Sequence, residues 1–367
     1  PGTITEDELL ESRRNNFLAA LGYAQGELGL AWLDVSTGTF SVQPIAAVGL
    51  AAALARIDPG ELLMPEHMLA RGELESVLAD RAAVVVPQPD SRFDSNSARR
   101  RLEAAYGIRA LDALGAFSRA EIAACGALVE YVELTQKGRL PRLEAPRRQR
   151  DGAALEIDAA TRRNLELTES LAGGREGSLL EVIDRTVTSA GGRLMAARLA
   201  APLTDPGAIA ERLDMAAWFH DETAIRAMVR DGLRRCPDVE RALSRLTVGR
   251  GGPRDIGAIR DALGAARNLR QAVSDYGETA PTGIERCAEN FGNHHELITL
   301  LARALVEEPT ARTVDGGFIA EGYSDELDES RTFRDEGRRL AAGLQREYAA
   351  ATGIASLKVR HNNVLGY

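Results

Sequence analysis

Apolar and polar positions between residues 155 and 203 follow the period of an amphipathic helix. An S-x-x-E capping box at Ser178 and Glu181 predicts where the helix begins, and Pro202, which lacks a backbone amide, predicts where it ends. Apolar residues recur at steps of three and four, at Leu179, Ile183, Val187, Ala190, Leu194 and Ala197. The pattern predicts a core helix of about six turns, provided that it continues through Gly191 and Gly192.

The first third of the chain has the pattern of an α/β domain. A linker is followed by a predicted first helix that carries Leu9, Leu10 and Phe17. Two strands at 28–35 and 38–42 flank a turn with Gly38, and alternating helices and short apolar strands follow at 48–57, 61–64 and 83–86. This ββαβαβ order predicts a sheet domain that ends near residue 125.

Helical patterns occupy the rest of the chain. They cover 98–106 and 118–135 and, after a charged segment, 209–220, 223–233, 239–246 and further stretches to about 307. Asp205-Pro206 predicts the start of the helix over 209–220, and Pro237-Asp238 that of the helix over 239–246. Ser324 is the predicted N-cap of a last helix that reaches about residue 350, roughly 40 Å long, and Gly353 is its predicted C-terminal glycine. Its apolar residues are sparse, so we expect an arm that projects from the core.

Length and composition limit the possible functions. A chain of 367 residues is expected to hold two or more domains. The net charge of −9 and the aromatic content of 5% disfavour a self-sufficient nucleic-acid domain, so any DNA contact is expected at a restricted basic patch. Three separated cysteines and the absence of a signal peptide or an 18-residue apolar run predict a cytoplasmic protein without a membrane span.

Basic residues are concentrated in the segment 137–151. It holds Lys137 and five arginines against two acidic residues, and its two prolines disfavour a helix. Such a segment either contacts phosphates or is a solvated connection between domains, and we favour the connection.

Several short motifs lie along the helical part of the chain: residues 162–167, Asp184-Arg185-Thr186, Gly192-Arg193-Leu194 and Asp238-Val239-Glu240-Arg241. Together they resemble the core domain of the MutS family, whose members recognise base mismatches in DNA. Residues 26–40 are similar to the first hairpin of its connector domain, which has an RNase H-like fold. The end of the chain, 354–367, is similar to the first strand of its clamp domain.

The resemblance implies a multidomain α/β plus all-α fold. We expect a linker and first helix at 1–21, an RNase H-like connector at 22–125, a helical core and lever with a long projecting helix at 126–351, and a truncated clamp strand at 352–367. It also implies that the chain is the middle of a longer protein, with a mismatch-reading domain before Pro1 and an ATPase domain after Tyr367.

By the same resemblance, the whole protein is a homodimer that binds mismatched double-stranded DNA, becomes an ATP-dependent sliding clamp and recruits MutL through the connector. Neither Lys137 nor Lys358 follows a glycine, so a Walker A loop is absent and we expect no catalytic, cofactor or metal residue in this part. ATP and magnesium belong to the ATPase domain. Lys358 and Arg360, on the clamp strand, are the candidate contacts to the DNA backbone.

Two alternatives remain open. A MutS paralogue that acts on recombination intermediates would prefer branched DNA to mismatches. An RNase H-like nuclease would gather carboxylates around two Mg²⁺ ions, and Asp34 lies on the predicted first strand with Glu61, Glu66 and Asp80 as possible companions.

Overall fold

A mixed six-stranded sheet occupies the first part of the chain. The structure is a computed structural model that describes residues 2–4, 9–74, 77, 79, 81–150, 152–276 and 280–359. The strands are β1 Phe17–Ala24, β2 Glu27–Asp34, β3 Phe40–Ile45, β4 Glu61–Pro65, β5 Val85–Gln88 and β6 Arg147–Arg148. Their order is β5-β4-β1-β2-β3-β6, antiparallel where β1, β2 and β3 pair and parallel elsewhere. The predicted sheet domain is therefore confirmed as a mixed sheet with helices.

Helices cover both faces of this sheet. They are α1 Ala47–Ile57, α2 Ser95–Tyr106 and α3 Arg119–Thr135. Leu18 and Ala20 of β1 belong to the apolar cluster with α2 and α3, while Ala19 and Leu21 belong to the cluster with α1. Successive side chains of a strand point to opposite faces, so β1 is buried on both. We call residues 17–148 the sheet unit.

The helix predicted across residues 9–21 is wrong, because Phe17–Ala24 is the strand β1. Its sequence, FLAALGYA, is apolar throughout, since a strand covered on both faces shows no alternation of apolar and polar positions. Alanine and leucine are also strong helix formers, which made the helical interpretation attractive. The central position of β1 between β2 and β4 explains why tertiary packing prevails over this local preference.

Helices make up the second part of the chain, which we call the helical unit (residues 159–352). They are α4 Ala159–Asn164, α5 Leu179–Ile183, α6 Ser189–Ala200, α7 Pro206–Asp221, α8 Thr223–Arg234, α9 Val239–Thr247, α10 Pro253–Ser274, α11 Thr282–Asn290, α12 His295–Ala304 and α13 Asp325–Thr352. The predicted starts after Asp205 and Asp238 are confirmed, because each of these side chains accepts a hydrogen bond from the first turn of its helix.

The single helix of six turns predicted from residue 179 onward is wrong, because the chain forms two helices there, α5 and α6. Ser178 does cap α5 through the amide of Glu181. The break follows from side chains that bond to the local backbone. Asp184 accepts from the amide and hydroxyl of Thr186 at 2.9 and 2.6 Å, and Thr188 caps α6.

The last helix matches its prediction. Ser324 is the N-cap of α13, and Gly353, in the left-handed conformation, follows its end. Its 28 residues span about 42 Å. Residues 353–359 form no strand, and the rest of the predicted clamp strand, 360–367, lies outside the described residues. Among the helices that the structure describes, none has the length and apolar character needed to span a membrane.

Candidate interdomain junction

A short polar segment, residues 11–16, lies between the sheet unit and the helical unit; we call it the strap. Two buried arginines of the helical unit hold the strap by its backbone. Arg193 of α6 donates to one main-chain oxygen at 3.0 Å, and Arg241 of α9 donates to two, at 2.9 and 3.1 Å. The accepting carbonyls belong to Glu11, Ser12 and Arg14. Carbonyls bound to charged donors form stronger bonds than neutral pairs, so these two arginines hold the strap through its main chain.

The charge of Arg193 is balanced by carboxylates from the start of α9. Its side chain is 4% exposed and forms a two-pronged pair with Asp238, at 2.6 and 3.0 Å, and a further bond of 3.0 Å to Glu240. Burial alone would raise the pKa of Asp238, but the bonds from Arg193 outweigh it and hold that pKa below its ordinary value. One buried arginine therefore joins α6, α9 and the strap.

The side chain of Arg13 makes the second fastening. Its Nη2 lies 2.9 Å from both carboxylate oxygens of Asp184 and within hydrogen-bonding distance of the hydroxyl and the carbonyl of Thr186. Arg175 binds the same carboxylate. Burial would raise the pKa of Asp184, yet the bonds from Thr186, Arg13 and Arg175 hold it well below the ordinary value. The carboxylate therefore stays ionised at neutral pH.

Helix α9 also contacts the sheet unit directly. The Ser244 hydroxyl donates to the main-chain oxygen of Val35, at the end of β2, with a distance of 2.7 Å. One turn later, the Thr247 hydroxyl accepts from the amide of Arg142 at 3.3 Å. These bonds place α9 beside the turn that joins β2 to β3.

In the basic segment 137–151, described through residue 150, all six basic residues are exposed, as a solvated connection requires, although two of them also bond to the neighbouring units through their side chains. Arg148 lies in β6 and its Nε is 2.8 Å from a carboxylate oxygen of Glu121, which is fully buried. Arg139 reaches the main-chain oxygen of Val248 in the helical unit at 3.3 Å.

The carboxylates of the nuclease alternative do not converge. Asp34 is completely buried, and its oxygens accept from the amides of Asn16 and Ser36 and from the Ser36 hydroxyl. Glu61 accepts from the Tyr131 hydroxyl at 2.8 Å, whereas Glu66 is exposed. Asp80 lies outside the described residues. Within the part of the chain that the structure describes, no three acidic, histidine or cysteine side chains form a group able to hold a metal ion.

Of the two candidate DNA contacts, Lys358 and Arg360, the structure describes only the first. Lys358 is exposed in the irregular segment after α13. Arg360 lies outside the described residues. Their proximity to DNA stays a prediction.

Sequence reasoning missed the residues that make the junction. Arg193 and Arg241 lay within motifs that carry the family resemblance, but their partners are distant in sequence: Arg193 pairs with a residue 45 positions away, and Arg241 reaches one 230 positions away. The one available signal was charge within helices that pack on other elements, because buried arginines require partners.

Comparisons with known proteins agree with this architecture. The sequence model of MutS domain II matches residues 16–144, and that of MutS domain III matches residues 160–359. The chain is 47% identical over 367 residues to the DNA mismatch repair protein MutS of Roseobacter denitrificans, 49% to that of Dinoroseobacter shibae, and 48% over 369 residues to that of Paracoccus denitrificans. Each alignment covers all of this chain and 41% of the relative, so the chain spans about two fifths of their length. The chain belongs to the MutS family.

Proposed function

We propose that this chain is the central part of a DNA mismatch recognition protein and relays conformational change between its ATPase domain and its mismatch-reading domain. The whole protein would bind mismatched duplex DNA as a cytoplasmic homodimer, become a sliding clamp with ATP and recruit MutL. The sheet unit would be the RNase H-like connector, and the helical unit the core and lever. ATP and magnesium would bind in the ATPase domain, outside these residues, and this part would carry no catalytic activity of its own.

The polar junction is the observation that carries the proposal. A relay needs an element with two arrangements that both sites bias. The sheet unit and helical unit meet through hydrogen bonds and ion pairs of Arg13, Arg193, Arg241 and Ser244. Such contacts exchange for water at small net cost, unlike an apolar core. Helix α13, about 42 Å long, extends the helical unit far enough to carry a movement to a distant site.

The relay is tested in the full-length gene product that contains this chain. Ser244→Ala removes one bond between α9 and the sheet unit, and Ser274→Ala, at the exposed end of α10, is the matched control. We expect Ser244→Ala to lower the stimulation of nucleotide exchange by mismatched DNA about fivefold, as a coupling of one hydrogen bond implies, with DNA affinity retained.

Three results would contradict the proposal. If mismatched DNA stimulates nucleotide exchange equally in both serine variants, the junction does not take part in the relay. Equal affinity of the unchanged protein for matched and mismatched duplexes would remove mismatch recognition. A preference for branched DNA would favour the recombination paralogue.

The contact of Lys358 and Arg360 with the DNA backbone is tested through salt dependence. Each phosphate contact adds about 0.9 to the slope of log affinity against log salt concentration. Replacing both residues with alanine should therefore lower the slope by about 1.8, while Arg303→Ala, on exposed α12, leaves it unchanged. An unchanged slope in the double variant would show that neither residue touches a phosphate.

A further inference from the structure

The apolar cores do not join the two units. Both buried apolar clusters of the described residues draw their members from 17–143, within the sheet unit. What fastens the helical unit at the strap is charge and hydrogen bonding, described above. Interfaces of this kind between domains permit relative movement.

The guanidinium of Arg13 lies directly against the backbone of α6 at Gly192. A Cβ added at Gly192 would lie 2.9 Å from Nε of Arg13 and 3.1 Å from its Cζ and Nη2. Gly192 is in the first turn of α6 and has an ordinary helical backbone, so the absent side chain serves the guanidinium rather than a special backbone conformation. We call this surface at Gly192 the seat of Arg13. The seat and the bonds to Asp184 and Thr186 together position the guanidinium.

The same carboxylate has a second cation. Arg175 binds the Asp184 oxygen that Arg13 also binds. Removing one partner of a buried ion pair is normally costly because the other charge is left alone. Here Arg175 keeps Asp184 paired when Arg13 leaves, which lowers the cost of leaving.

Arg13 has solvent to move into. Its side chain is 36% exposed, whereas that of Asp184 is 2% exposed. An open pocket of about 590 Å³ adjoins it, lined by Glu11, Ser12, Arg13, Arg175, Asp184 and Thr186. The arginine can therefore be hydrated without unfolding either unit.

We infer that Arg13, seated on Gly192, is a releasable lock of the junction. When Arg13 is bound to Asp184, it holds the strap and the sheet unit against α6. When Arg13 turns into solvent, Asp184 remains paired with Arg175 and the strap loses its attachment on that side. The use of this release in a relay rests on the proposed function, but the lock itself is defined by contacts of this chain alone.

Hydrogen exchange of the full chain, without DNA or nucleotide, tests the seat. Gly192→Ala displaces Arg13 by its Cβ and Arg13→Gln removes the charge, while Gly264→Ala, whose Cβ meets nothing within 4 Å, is the matched control. We expect exchange in residues 9–16 to rise about fivefold in the first two variants, as loss of a local fastening implies, with β2 protection unchanged. Equal exchange of residues 9–16 in Gly192→Ala and Gly264→Ala would show that Arg13 does not need the space at Gly192 to hold the strap.

A double-variant cycle tests the second cation. Trp32 lies in the sheet unit and Trp218 in the helical unit, so their fluorescence reports unfolding of each unit. Arg13→Gln should shift the Trp218 midpoint little in the unchanged chain and clearly more with Arg175→Gln also present, because Asp184 then loses both cations. If Arg13→Gln shifts the Trp218 midpoint equally with and without Arg175→Gln, then Arg175 does not compensate for the loss of Arg13, and the proposal of a releasable lock is refuted. Since neither experiment involves DNA, its failure leaves the proposed function standing, and failure of mismatch binding leaves the lock standing.

Discussion

Arg193→Met is the substitution that tests the junction most directly. Methionine retains most of the length of the side chain, so the change removes charge and hydrogen bonds more than volume. The side chain of Arg193 is 4% exposed, that of Asp238 is 21% exposed and that of Glu240 is 48% exposed. Because exposed pairs contribute little, the loss of Glu240 as a partner is minor and Asp238 decides the effect.

The expected destabilisation of the helical unit is about 3 kcal/mol, the lower end for breaking a buried ion pair. The lower end applies because Asp238 retains a bond to the amide of Arg241, as N-cap of α9. The strap loses its bond to the Ser12 carbonyl in addition. At an ordinary urea slope this corresponds to a fall of about 1 M in the midpoint.

The assay is urea unfolding followed by Trp218 fluorescence in a chain with Trp32→Phe, and by Trp32 fluorescence in a chain with Trp218→Phe. The Trp218 midpoint should fall by about 1 M, with its slope unchanged, and the Trp32 midpoint should move less. Arg235→Met, on the exposed end of α8, should leave both within experimental scatter. A Trp218 shift no larger than that of Arg235→Met would refute the reasoning that the Arg193 pair holds α6 to α9.

Three further substitutions have definite expectations. Gly29→Ala in β2 would place its Cβ 2.5 Å from the main-chain nitrogen of Glu121, so we expect a loss of about 3 kcal/mol in the Trp32 transition, with Gly264→Ala as the neutral control. Asp184→Asn should flatten the acid end of the Trp218 stability curve. The pKa of Asp184 is lower in the folded protein than in the unfolded chain. The ionised carboxylate therefore contributes its full stabilisation above the unfolded pKa, near 4, and this stabilisation is lost as the pH falls below that value. An equally steep loss of stability in acid in the variant would contradict this. Ser324→Ala should speed amide exchange in the first turn of α13, since loss of an N-cap costs about 1 kcal/mol; unchanged exchange there would show that the cap is not needed.

Local signals were sufficient for most helices and strands. Asp205, Asp238, Ser324 and Gly353 sit at the predicted helix ends, because caps and glycine termini act within a few residues. The strand that begins at Glu61 was equally readable from its short apolar run. Predictions of this kind succeed where the deciding interaction is local.

Predictions failed where the deciding interaction is distant or where two local signals compete. The strand β1 is central and buried on both faces, so its apolar sequence lacked the alternation that distinguishes a strand. Between α5 and α6, apolar periodicity favoured one helix, but Asp184 and Thr188 bind the backbone and divide it. The junction could not be predicted from the sequence for a different reason: Arg193 and Arg241 bind partners that are distant in sequence and come close only when the chain folds.

The attachment of the strap indicates which side of the junction opens. Before the strap, the amide of Gly2 donates to Glu61 and the carbonyl of Thr3 accepts from Gln136, both in the sheet unit. At its other end, the amide of Asn16 donates to the buried carboxylate of Asp34. The strap is thus fixed to the sheet unit at Asn16, and the helical unit holds the main-chain oxygens of Glu11, Ser12 and Arg14. If the units separate, the strap must move with the sheet, and the bonds that break are those to α6 and α9, where Asp184 and Asp238 have cations of their own unit to keep.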